Sequence, residues 1–462
     1  MRILRVGDKE FKGQFERLLS RGREDLEAVE RAVRSILEGV RSKGDEAVIE
    51  YTKRFDGVDL SPSQLRVSPK EIEEAHERVP KKDWEALTLA SERIESFHRR
   101  QVPNSWFEST ADGITLGQRI TPLKRIGAYI PGGGNPYPST VLMALIPAKI
   151  AGVSELIMVS PIYGGRGNDH VLAAAGLAGA TSIFRVGGAQ AVGALAYGTE
   201  SIPKVDKIVG PGNVYVATAK RMVFGDVGVD MVAGPSEICI FSDGHGPPSS
   251  VAADLLSQGE HDERALMVLI VLSDVYACAV NSEVERQLKK LKNRGVVERS
   301  LNNRGAIIVA RSFGEAIDLI DEIAPEHLEL MVETPWDLVG RVRNAGAIFL
   351  GPFTPETVGD YLAGTNHVLP TGGTSRFSSP LGVDDFLKKS NIISFSQEAL
   401  LEFREDILRM AAMEGLDAHA KAVEIRFLDK EAERGKVLPT NRFRRRDEQE
   451  RRDPQENQGD GD

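Results

Sequence analysis

Four of the eight histidines, His261, His327, His367 and His419, sit among Glu, Asp, Gln and Asn in the second half of the chain. Imidazoles interleaved with carboxylates and amides are what a zinc site with neighbouring acid–base groups requires. Gln258 and His261 are three apart in a stretch with helical periodicity, so on that reading they share a face and can reach one ion. A histidine that merely caps a helix end explains the same pair. Asp360 and His367 bracket Tyr-Leu-Ala-Gly-Thr-Asn, and His419 follows Glu414 by five residues. Glu326 and His327, being adjacent, cannot share a helix face. They can line one pocket from a loop or from a helix start after Pro325. His76, His98 and His170 lie in charged or polar stretches and read as surface residues.

A second kind of chemistry is written in glycine. Pro131-Gly-Gly-Gly-Asn135, Gly187-Gly-Ala-Gln190 and Gly210-Pro-Gly-Asn213 each follow a strand-like run and precede a helical one. Such turns leave free N–H groups at a helix N-terminus, where a pyrophosphate can dock. None is a G-x-G-x-x-G. Several of them at strand ends of one parallel sheet favour a nucleotide-type ligand over turn chemistry alone.

The elements that must position these groups follow from periodicity. Val29, Val33, Ile36, Leu37 and Val40 form one amphipathic face, and Trp84, Leu87, Ile94 and Phe97 mark another helix. Non-alternating apolar runs at 125–130, 155–160, 183–186, 207–209, 238–242, 266–272, 306–310 and 347–350 predict strands buried on both faces, hence parallel α/β structure. These are too many for one comfortable sheet, so two α/β units are expected. From about residue 390 to residue 428 the pattern is helical again, and beyond Leu438 it predicts a disordered tail.

A net charge of −10 argues against a nucleic-acid partner. The longest apolar run falls far short of the ~20 residues that span a bilayer, and the N-terminus lacks a signal core. With two cysteines, Cys239 and Cys278, read as reduced and buried, the expected compartment is the cytoplasm.

Several longer motifs go further: Gly127-Ala-Tyr-Ile-Pro-Gly-Gly, Ala233-Gly-Pro-Ser-Glu237, Asp254-Leu-Leu-Ser-Gln-Gly-Glu-His-Asp262, Ala324-Pro-Glu-His-Leu-Glu329 and Gly359-Asp-Tyr-Leu-Ala-Gly-Thr-Asn-His367. With them the chain, from about residue 25 to residue 428, resembles the histidinol dehydrogenase family. The resemblance implies oxidation of L-histidinol to L-histidine through L-histidinaldehyde, with NAD as acceptor and one zinc per subunit. It implies Gln258, His261, Asp360 and His419 as zinc ligands, Glu326 and His327 as catalytic residues, and Tyr129, Gln190 and Asn213 as cofactor contacts. Ser236, His367 and Glu414 would join the ligands and His327 in touching substrate. The implied fold is a pair of incomplete Rossmann-like domains, one inserted in the other, in an intertwined homodimer. The boundaries expected are a segment 1–25, a first domain of 26–128 with 236–381, an insert 129–235 on the NAD side, a helical segment 382–437 reaching the partner subunit, and the tail 438–462.

Overall fold

The computed structural model describes residues 1–20, 27–132, 136–161, 168–232 and 234–427. The expected tail and part of the turn at Pro131–Asn135 lie outside the described residues. In chain order the strands are β1 (Arg2–Arg5), β2 (Trp106–Ser109), β3 (Ile114–Pro122), β4 (Arg125–Tyr129), β5 (Glu155–Ser160), β6 (Ser182–Arg185) and β7 (Lys207–Val209). They continue as β8 (Gly228–Val229), β9 (Glu237–Ser242), β10 (Leu266–Val271), β11 (Gly305–Val309), β12 (His327–Met331), β13 (Ala347–Leu350) and β14 (Leu387–Phe395). One sheet runs β1-β11-β10-β9-β12-β13, a second β6-β5-β4-β7-β8, and a third β14-β3-β2. The first two are parallel throughout, with helical crossovers, as non-alternating apolar strands require. This is a Rossmann-like α/β fold.

Two compact units divide the chain, Met1–Asn104 with Ile120–Lys389, and Ser105–Arg119 with Ser390–Asp462. The first holds both parallel sheets. Its helices Glu27–Lys43 and Asp45–Asp56 bury Val33, Ile36, Leu37, Val40 and Val48 in one core with Val159, Phe184, Leu195 and Ile208. The helix Lys81–His98 buries Ile94 with Leu142 and Met158. The first two of these helices therefore pack with the five-stranded sheet, while the third lies in a core that also holds Val368 and Leu381 of the segment expected to accompany it. The reason is compositional. The helix Pro138–Ala151 buries every residue from Thr140 to Ala148, and a helix apolar all round needs a second layer outside it. Within the segment 1–25, β1 is an edge strand of the six-stranded sheet.

His98 is fully buried, with Nδ1 donating to Ile94 O at 2.8 Å, and Phe97 is exposed. Of the expected face Ile94 is buried and Trp84 and Leu87 are half-buried, and only at the helix end does His98 take the buried place expected of Phe97. Cys239 is buried as expected, but Cys278 is exposed.

The second unit contains β2 with most of β3 and β14, where β2 and β3 pair antiparallel. Helices Gln397–Glu402, Arg404–Met413 and Asp417–Glu424 follow. The expectation of helix from residue 390 is corrected there, because β14 runs to Phe395 before the first helix begins. No helix among the described residues is long and apolar enough to cross a membrane.

Candidate active site

Ala324, at φ +49, is the one non-glycine residue with positive φ among the described residues. It ends the helix Phe313–Ile323 and turns the chain through Pro325 into Glu326 and His327. Backbone strain of this kind persists where surrounding structure over-determines it, often at functional sites. His327 opens β12, between Ile238 of β9 and Ala347 of β13. It is therefore a strand residue, neither the loop nor the helix start that Pro325 suggested, and two flanking strands bury it.

One residue holds both members of the pair through its main chain. The Glu237 N–H donates to Glu326 Oε2 at 2.8 Å, and the Glu237 carbonyl lies 3.0 Å from His327 Nδ1. A carbonyl only accepts, so Nδ1 carries the proton and Nε2 keeps its lone pair. That Nε2 is buried without a hydrogen-bond partner among the described residues, 3.9 Å from Glu356 Oε1. Burial pushes the His327 pKa down to about 4, leaving the imidazole neutral at neutral pH.

Glu356 is the residue the sequence reading missed. It begins the helix Glu356–Tyr361, is 2% exposed, and accepts from Ser257 Oγ at 3.3 Å. Its N–H donates to Glu329 Oε1 at 2.8 Å. One turn on, the same helix presents Asp360, and ligand atoms of His261, Glu356 and Asp360 lie within 4.8 Å of one another. The i,i+4 spacing of two carboxylates was the available signal.

His261 lies two residues past the end of the helix Pro248–Gly259, so it shares no helix face with Gln258. With its nitrogen turned towards Glu356, the Gln258 amide donates to both carboxylate oxygens at 2.7 and 2.8 Å and accepts from Glu237 N–H at 3.1 Å. Of the four expected ligands the structure thus groups His261 and Asp360, adds Glu356, and sets Gln258 against Glu356. Glu414 and His419 lie in the second unit, both exposed, His419 on the helix Asp417–Glu424. His367 donates from Nδ1 to Asp360 O at 3.0 Å, and its Nε2 is 3.3 Å from Thr140 Oγ1. Ser236, half-buried, precedes Glu237 directly and accepts from Leu266 N–H at 3.0 Å.

The acids here are crowded and dry. Burial, reinforced by Asp360, pushes Glu356 up to about 8, and burial holds Glu326 and Glu329 well above the usual carboxylate range. One imidazole and two carboxylates offer a divalent cation a ligand set of ordinary chemistry. A cation there relieves the burial penalty on Glu356.

The glycine turns sit at the other end of their sheet. Gly188, at φ +63, donates its N–H to the Tyr129 hydroxyl at 3.1 Å. Gln190, 1% exposed, has both amide atoms buried without a partner among the described residues. Such atoms call for a ligand or water. Gly210 is at φ +107, and a Cβ there would lie 2.2 Å from the Tyr129 carbonyl oxygen. Asn213 caps the helix Val214–Val223, its Oδ1 accepting from Tyr215 and Val216 N–H at 3.1 and 3.2 Å. A cavity of about 610 Å³ runs from Gly212 and Asn213 past Arg221 and Arg264 to Glu237.

Comparison with known proteins adds the following. A family model described as histidinol dehydrogenase matches residues 19–427. The histidinol dehydrogenase of Syntrophotalea carbinolica is 53% identical over 429 residues, covering 93% of this chain and 100% of that protein. That of Geobacter sulfurreducens is 53% identical over 427 residues, covering 92% and 100% respectively. The crystal structure of the enzyme from Elizabethkingia anophelis superposes with a TM-score of 0.87 at 36% identity, covering 93% of this chain and 98% of that one.

Proposed function

Because the chain belongs to the histidinol dehydrogenase family, a family of oxidoreductases, we propose that it oxidises L-histidinol to L-histidine through L-histidinaldehyde. These are the last two steps of histidine biosynthesis. What carries this reading is the buried, unpartnered Nε2 of His327 beside the His261, Glu356 and Asp360 group. NAD supplies the electron acceptor for each step, and zinc supplies a Lewis-acid anchor that orients the substrate. Gln258, His261, Asp360 and His419 would hold the zinc, with Glu356 placed to join or brace them. Tyr129, Gln190 and Asn213 would contact NAD, and Ser236, His367 and Glu414 the substrate.

In alcohol oxidation, His327 Nε2 takes the hydroxyl proton while hydride leaves the carbinol carbon. Nδ1 keeps its proton on the Glu237 carbonyl throughout, so the base stays aimed. Hydration of the aldehyde then needs a proton drawn from water. The Glu326 carboxylate does this, its basicity raised by burial. His327 serves again when the hydrate is oxidised to acid.

On this reading the enzyme is a cytoplasmic homodimer without nucleic-acid or membrane partners. Residues 382–437 reach into the partner's site, so Glu414 and His419 act there. Two inactive variants, His327→Asn and His419→Asn, test that arrangement when unfolded and refolded together. Mixed dimers should regain one intact site, and no recovery in dimers shown to be mixed means each chain builds its site alone. The function itself is tested by steady-state NADH formation from histidinol. A zinc-loaded protein that reduces no NAD with histidinol, or prefers another polar alcohol, would overturn it.

A further inference from the structure

Lys220, at 1% exposure, heads the fully buried side chains by volume. Its Nζ donates to Gly210 O at 2.9 Å and pairs with Asp230, whose side chain is 1% exposed. Asp230 Oδ2 accepts from Gly210 N–H at 2.8 Å, and Oδ1 also accepts from Met231 N–H at 2.6 Å. Both main-chain polar groups of Gly210 therefore end on one buried ion pair. Gly210 lies at φ +107 against Tyr129 O, and the turn it opens leads through Gly212 and Asn213 into the cavity.

We propose that the Lys220–Asp230 pair is a positioning element for the cofactor, which holds the Gly210–Asn213 turn in its binding conformation. This rests on the NAD reading above. A buried ion pair is a poor source of stability, since the desolvation of two charges offsets their attraction, and apolar replacements of similar size are often neutral or stabilising. What an apolar pair cannot supply is direction. A donor on the carbonyl and an acceptor on the amide fix the orientation of both peptide planes at a glycine that is otherwise free to change conformation. A turn fixed in advance loses less freedom when ligand binds, so its contribution falls on cofactor affinity, not on turnover of the loaded enzyme.

The test uses the zinc-loaded full chain carrying Lys220→Met and Asp230→Leu together. Amide exchange at Gly210, whose N–H is held by Asp230, should quicken by about tenfold or more while exchange in β4 and β5 is unchanged. The Kd for NAD by calorimetry and the KM for NAD should each rise about tenfold, with kcat and the KM for histidinol within about twofold of the parent. Unchanged exchange in the turn with unchanged NAD affinity overturns the proposal, as does a parallel rise in both KM values. Should the double variant not fold, Asp230→Asn, which keeps the size and removes the charge, is held to the same outcomes. A parent protein that binds no NAD defeats the cofactor reading instead, and is told apart because the exchange measurement needs no ligand.

Discussion

The two parallel sheets reverse strand order in the same way and put their chemistry at opposite ends. In the five-stranded sheet the order reverses between β4 and β7. Tyr129, Gly188 and Gly210 all follow or close strands at the C-terminal ends of that sheet, where open α/β sheets usually bind ligands. In the six-stranded sheet the order reverses between β9 and β12, yet Ser236, Glu237, Glu326 and His327 sit where those strands begin. The first arrangement offers main-chain N–H groups in glycine turns, suited to an anionic ligand held by shape. The second offers titratable side chains buried at the start of two interior strands, suited to moving protons. On the proposed function, one fold separates holding a cofactor from handling a proton by using the two kinds of strand end.

The largest effect expected breaks the proton-handling end. His327→Asn should lower both half-reactions by ~10²–10⁴-fold. Glu326→Gln should spare alcohol oxidation and slow acid formation. Single-turnover NADH formation from histidinol and, separately, from histidinaldehyde resolves the two, and equal slowing of both steps by Glu326→Gln would end the division of labour.

Metal and pH sharpen the same end. The folded pKa of Glu356, about 8, lies above its ordinary 4.5, so the folded state holds the extra proton and stability falls as pH rises between them. The folded pKa of His327, about 4, lies below its ordinary 6.5, so its contribution rises with pH over that lower window. Between 6.5 and 8 the buried carboxylates are opposed by the Met1 amino group, whose burial-lowered pKa works the other way. As the more numerous and more deeply buried groups, the carboxylates should make metal-free protein lose stability there in denaturant titrations. Zinc at a hundred times its Kd should restore about 2.7 kcal/mol and flatten the slope. A metal-free protein equally stable at pH 6.5 and 8 would contradict the burial of these acids.

At the other sheet the changes are smaller and fall on backbone. Gly210→Ala sets a Cβ against the Tyr129 carbonyl at an unfavourable φ, which should cost about 1–3 kcal/mol in chemical denaturation. Gln190→Ala should do least, raising the KM for NAD about 3–10-fold, the worth of one or two neutral hydrogen bonds. Since its amide is unpartnered, the fold should keep its melting temperature. A fall in melting temperature with unchanged KM would place Gln190 in the core and not at a cofactor.

Local signals carried far. The apolar runs at 155–160, 207–209 and 347–350 are strands with those bounds, and the glycines before Gln190 and Asn213 do start helices. β12 escaped because His327 and Glu329 break its apolar run, and a strand that buries charge looks like a loop. The end of the helix Lys81–His98 also escaped, since its neighbours and not its own pattern bury His98 in place of Phe97.

By itself, then, the sequence determined the parallel α/β class, the turns and the candidate chemistry of His261, Glu326, His327 and Asp360. Each of these is encoded within a few residues, in period, glycine placement or side-chain type. Only the tertiary structure decided that Glu237 aims His327 from 90 residues away, that Glu356 joins His261 and Asp360 beside Gln258, and which sheet the helices Glu27–Lys43 and Asp45–Asp56 cover. Those are contacts between distant segments, and strand order and layer packing, which no short window contains, bring them together.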